Sequence, residues 1–112
     1  MNSDLIFHIV SRRKWKQLTN RGYFSPEELN ENNQIECVPS RKLNEYLNTH
    51  YSGRKNLLIL VIDSSRVLNK ITRDKDTGRV YVDSKINIDA ILDKIRIDAN
   101  NDGTFDISVL ED

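Results

Sequence analysis

The sequence predicts an α+β fold: a single compact domain over 1–112, with a mixed or antiparallel split sheet and two helices in the N-terminal half. Three observations predict it. The run "LLILVI" at 57–62 is unbroken and largely branched, as a strand covered on both faces must be. Leu43, Tyr46, Leu47, His50 and Tyr51 fall at i, i+3, i+4, i+7 and i+8, the stripe of an amphipathic helix. "KITRD" and "RVYVD" flank "KDTG", a turn composition between two β-rich runs.

The elements follow in order. "LIFHIV" (5–10) is apolar and β-rich, a first strand. Ser11 is placed to cap a helix in which Trp15 and Leu18 share a face and Gly22 supplies the stop. "YFSPEELNENN" reads as a loop with one helical turn, because Pro26 suits a first helical position behind Ser25. "QIECV" is a short strand. Ser40 then caps the helix "RKLNEYLNTHY", closed by Gly53. The central strand and the "KDTG" hairpin come next, "SKINIDAI" leads on, and "ILDKIRID" and "TFDISV" form the last two strands.

Composition narrows the function classes. The chain has 112 residues, 30% of them charged, with 17 basic side chains against 17 acidic ones. That balance offers no argument for a polyanion-binding surface, which needs a basic excess. The cluster "SRRKWKQLTNR" is basic, but Trp15 and Leu18 share one helical face, so it reads as a core tryptophan beneath solvated charges and not as a nucleic-acid platform. A single cysteine, Cys37, leaves no internal disulfide and fits a reducing compartment. It stands between Glu36 and Val38 with no histidine beside it, as a small core residue does. No signal peptide or membrane span is predicted, so the expected location is cytoplasmic. Two histidines and one cysteine, widely separated, give no zinc-ligand spacing. The four glycines are isolated, so there is no phosphate loop.

"DANNDGTFD" (98–106) poses a choice. Asp98, Asn100, Asp102 and Asp106 stand at positions one, three, five and nine of a calcium loop, with Gly103 at the sharp-turn position. Position twelve should be a bidentate Glu and is Val109, and the flanks read as strands. A β-hairpin turn with Gly103 at positive φ and no metal is expected, with weak calcium binding as the alternative.

"HIV" with Trp15, "GYFSPEEL", "IEC", "YSGRKNLLILVID", "INIDAI" and the closing "DGTF" occur in an order and spacing similar to the domain of unknown function 952 family. That resemblance implies the compact fold of ADP-ribosyltransferases, a split sheet with an NAD cleft, and NAD as the possible cofactor. The departures are informative. Where the family usually has His between the Ile and Cys of the second strand, this chain has Glu36. The usual Phe-Pro-His-Ile-Tyr-Gly stretch is replaced by "RVYVDSK", and the Glu before the hairpin is absent, Arg73 and Asp74 standing nearest. His8 and Ser11 persist, which marks a divergent member.

The resemblance makes His8 and Glu36 the candidate catalytic residues, and His8, Ser11 and Glu36 the candidate cofactor-binding set. A first-strand imidazole would position a ribose hydroxyl, and a carboxylate would stabilise an oxocarbenium-like charge. Each also has a plain reading, His8 as a satisfied strand histidine and Glu36 as the polar position of an edge strand. The favoured function is a non-catalytic module binding a nucleotide or a protein through a degenerate NAD-type cleft. An ADP-ribosyltransferase-like enzyme acting on NAD or an ADP-ribose derivative is the alternative, and weak calcium binding through 98–106 is the second.

Overall fold

The computed structural model of the chain describes residues 5–26 and 29–107. Its centre is β5 (Leu57–Asp63), which pairs antiparallel on one side with β1 (Leu5–Ser11) and on the other with β9 (Ile91–Ile97). Leu57 through Ile62 are all buried. Alternation along the strand divides them between two cores. Leu58, Leu60 and Ile62 pack with Ile6, Val10, Phe24 and Ile35, while Leu57, Ile59 and Val61 pack with Phe7, Leu43, Leu47 and Phe105. A strand lying between two apolar layers has no wet face, so its sequence has no polar alternation.

Two further three-stranded sheets complete the β structure. One runs β2 (Thr19–Asn20), β3 (Tyr23–Phe24) and β8 (Ile86–Asn87), and the other runs β4 (Gln34–Cys37), β7 (Val80–Asp83) and β6 (Ile71–Arg73). Every strand pairing among the described residues is antiparallel. Helices are few and short: α1 (Trp15–Leu18) and α2 (Leu43–His50). The molecule is thus a single compact, mostly antiparallel β domain. Among the described residues no helix is long and apolar enough to cross a membrane.

Several expectations need correction. The first helix is one turn, and Ser11 is the last residue of β1, so it does not cap it. Gly22 does not stop that helix. It belongs with Arg21 to the two-residue loop joining β2 to β3, both at positive φ (84° and 53°), as the twist of a tight hairpin requires. The second helix starts later than Ser40, which opens a 3-10 turn over Ser40–Lys42. The helical turn expected at Pro26 falls partly on residues 27–28, outside the described residues. The "KDTG" hairpin between β6 and β7 is present as expected.

The C-terminal segment departs most. Asn100 and Gly103 close a turn, Gly103 at φ 86°, but residues 104–107 form no strand, and Val109 lies outside the described residues. The backbone groups a strand partner would have taken are taken by α2. Asn48 accepts from the Phe105 N–H (2.7 Å) and donates to the Phe105 carbonyl (3.0 Å). Asn44 does the same for Ile107, at 2.6 and 2.8 Å. The two amides, one helical turn apart, act as a surrogate strand edge and press Phe105 into the second core.

Removing one of them should therefore loosen the whole segment. Asn48→Ala is expected to lower stability by about 1–3 kcal/mol, because two backbone groups lose their partners, and to speed amide exchange at Phe105. Urea denaturation and hydrogen exchange would check this. Unchanged exchange would mean that Phe105 burial alone holds the strap.

Candidate functional site

The site is set by a backbone bridge. Phe7 N–H donates to the Val38 carbonyl at 2.8 Å, and Val38 N–H returns to the Phe7 carbonyl at 2.9 Å. This draws β1 against the end of β4. His8 projects from β1 opposite to Phe7, toward the first core, with its ring 5.5 Å from Phe24. Its Nδ1 lies 2.8 Å from the Glu36 carbonyl. A carbonyl only accepts, so Nδ1 carries the hydrogen, and in the neutral ring Nε2 is left as an acceptor. Burial holds this imidazole below its ordinary value, opposed in part by the bond to Glu36, which favours the charged ring.

Glu36 is tied in turn. In the β4–β7 register Glu36 stands opposite Tyr81, which puts Arg79 on the same face one diagonal away. Arg79 Nη1 lies 2.9 Å from Glu36 Oε2, both side chains about one-third exposed. The contact is a charge pair without the alignment of a hydrogen bond, and Oε2 has no other partner among the described residues. Arg79 also lies over the Tyr46 ring, 5.7 Å from its centroid, with Nη2 3.5 Å from His50 Nε2. Burial, and then the Glu36 carboxylate, push the Tyr46 phenol upward, so it remains a hydroxyl at neutral pH.

His8 and Glu36 line one concavity of about 270 Å³, with Asn30, Gln34, Leu29 and Tyr46. Tyr46 also lines a second one of about 260 Å³, with Lys42, His50 and Arg79. The structure thus brings His8 and Glu36 together. It leaves Ser11 apart, because three residues of strand put that side chain on the opposite face and about 10 Å away. Sequence reading missed Arg79. The signal was an opposite charge across a strand pair, but pairing β4 with β7 spans more than forty residues and no local pattern announces it.

Two carboxylates of residues 98–106 accept hydrogen bonds from nearby groups. Asp98 Oδ1 accepts from the Asn56 N–H at 2.6 Å, and Asp102 Oδ1 accepts from the Thr104 N–H and hydroxyl at 3.1 and 2.6 Å. Among the described residues no three His, Cys, Asp or Glu side chains converge as metal ligands. Cys37 is buried, and burial pushes its thiol far above the range of a nucleophile.

A family described as "Protein of unknown function (DUF952)" matches residues 9–94. The chain belongs to this family. Among solved structures, the DUF952 chain is similar to CC0527 of Caulobacter crescentus. The crystal structure of that protein is 18% identical, with 89% of this chain and 91% of that one covered, at a TM-score of 0.73. Its solution NMR structure gives 17% identity, 90% of each chain and a TM-score of 0.68. At these identities the likeness shows the fold alone. No curated protein matches.

The buried imidazole makes stability depend on pH. With a folded value below the unfolded one near 6.5, the unfolded chain binds the extra proton first as pH drops. The contribution is complete above that value and is lost as pH falls from it through the folded value. His8 should titrate below 6.5 by NMR, and His8→Gln should flatten the loss of stability as pH falls from 6.5 through the folded value. An unshifted titration would contradict the buried, Nδ1-bonded geometry.

Proposed function

We propose that this DUF952 protein is a non-catalytic binding module that takes a nucleotide-type ligand in the cleft beside β4, β1 and α2. The observation that carries the reading is the internal pairing of the site. Glu36 is neutralised by Arg79, so it adds little net negative charge to stabilise a cationic transition state. His8 has spent Nδ1 on the Glu36 carbonyl and offers Nε2 as an acceptor for a ligand hydroxyl or amide N–H. Asn30 and Gln34 add polar rim atoms, and Leu29, Ile35 and Tyr46 add apolar surface. That mixture suits one ring or one sugar.

The volume agrees with a small occupant. At about 270 Å³ the concavity lies just under the usual range for drug-sized ligands. It would take a nicotinamide, a base or a ribose, and a whole dinucleotide would have to extend beyond it. An NAD-type cleft of the ADP-ribosyltransferase kind, which the sequence resemblance implies, is the finer form of this reading. The two missing family histidines and the neutralised carboxylate argue for binding without turnover.

Titration of the labelled protein with nicotinamide, adenosine and ADP-ribose, followed by NMR, tests this. Shifts should centre on His8, Glu36 and Tyr46, weaken in His8→Ala, and accompany no hydrolysis of NAD. NAD turnover that disappears in His8→Ala would instead make the chain an enzyme, and absence of shifts with all three ligands would remove the cleft reading.

A further inference from the structure

Beyond the His8 cleft, a third concavity, of about 320 Å³, lies between the 3-10 turn Ser40–Lys42 and the β6–β7 turn. It neighbours the second, since Arg79 lines both, just as Tyr46 joins the second to the first. Its rim is strongly basic: Arg41, Arg73, Lys75 and Arg79 surround it. In a chain whose charges cancel, 17 against 17, that is a local excess.

Two of the acidic groups nearby are already engaged. Asp74 turns its Oδ1 into its own loop, accepting from the Asp76 and Thr77 N–H groups at 2.8 and 3.3 Å. Glu36 balances Arg79. Among the described residues no carboxylate lies within ion-pair distance of Arg41, Arg73 or Lys75. Arg73 has only a long contact, 3.4 Å, to the Ser64 hydroxyl. Gly78, at φ 77°, also lines the concavity. A Cβ there would stand 2.9 Å from Lys42 Cε and 3.6 Å from Arg41 Nη2, so glycine lets both basic side chains lie across the turn.

We propose that this concavity is a phosphate site, held by the guanidinium groups of Arg41 and Arg73 and the ammonium of Lys75. Guanidinium forks match phosphate oxygens two at a time, and an ammonium adds a mobile point charge. The ligand of the His8 cleft is then a phosphorylated nucleoside, its ring or ribose beside His8 and its phosphates reaching past Tyr46 and Arg79 to this rim. The identity as a nucleotide rests on the cleft reading above, while the anion site stands on its own geometry.

The experiment uses inorganic pyrophosphate, adenosine and ADP-ribose as separate probes, followed by amide NMR at low and raised salt. Pyrophosphate should shift Gly78, Arg79 and Val80 and leave His8 unmoved, with affinity falling as salt rises. Arg73→Ala and Lys75→Ala should each weaken it by about tenfold or more. Lys16→Ala, the same loss of charge on α1, should leave it unchanged. ADP-ribose should bind more tightly than pyrophosphate and shift both regions. No response to pyrophosphate, or an equal loss in Lys16→Ala, overturns the phosphate site, and an adenosine response at His8 would show the cleft reading surviving without it. A pyrophosphate response with none to adenosine keeps the anion site and removes the cleft. ADP-ribose binding no tighter than pyrophosphate overturns the nucleotide assignment.

Discussion

Phe7 and Val38 exchange two backbone hydrogen bonds, and the geometry of the site follows from that exchange. Both side chains are buried in the second core, so their N–H and C=O groups have no water to fall back on. An orphaned pair there would cost several kcal/mol at about 1–3 kcal/mol per buried group. The bridge ties the β1–β5–β9 sheet to the β4–β7–β6 sheet. It also decides which atoms meet. With Phe7 opposite Val38, the Glu36 carbonyl falls within reach of His8 Nδ1, and the diagonal in the β4–β7 register delivers Arg79 to Glu36.

The charge pattern on that frame is one of mutual restraint. An imidazole held neutral, a carboxylate paired to a guanidinium and a phenol kept protonated make a polar surface with little net charge near pH 7. Such a surface can recognise a ligand by hydrogen bonds, because its donors and acceptors are fixed before the ligand arrives. Positive charge lies instead around Gly78, where Arg41, Arg73 and Lys75 have no acidic partner among the described residues. The polar cleft and the basic rim are thus distinct concavities, with Tyr46 and Arg79 lining the one between them.

Much of this architecture was legible where local chemistry decides structure. The unbroken apolar run at 57–62 announced a strand covered on both faces, and the stripe from Leu43 to Leu47 announced the face of α2. The errors lie where tertiary contacts outweighed propensity. Residues 104–107 have the alternation of a strand, yet Asn44 and Asn48 supply the hydrogen bonds a neighbouring strand would have given. Gly22 reads locally as a helix stop, but the pairing of Tyr23–Phe24 with Ile86–Asn87 makes it a hairpin residue. In the site, His8 and Glu36 were singled out through family resemblance. Arg79 was not, because its role depends on a long-range register.

His8 is a neutral imidazole, protonated on Nδ1 by its bond to the Glu36 carbonyl and open at Nε2. Nitrogen shifts of the imidazole, read from a long-range nitrogen–proton correlation spectrum at neutral pH, test it most directly. The Nδ1–H tautomer is expected for His8 in the wild-type protein. The Nε2–H tautomer, or an imidazolium pattern persisting at neutral pH, would contradict it.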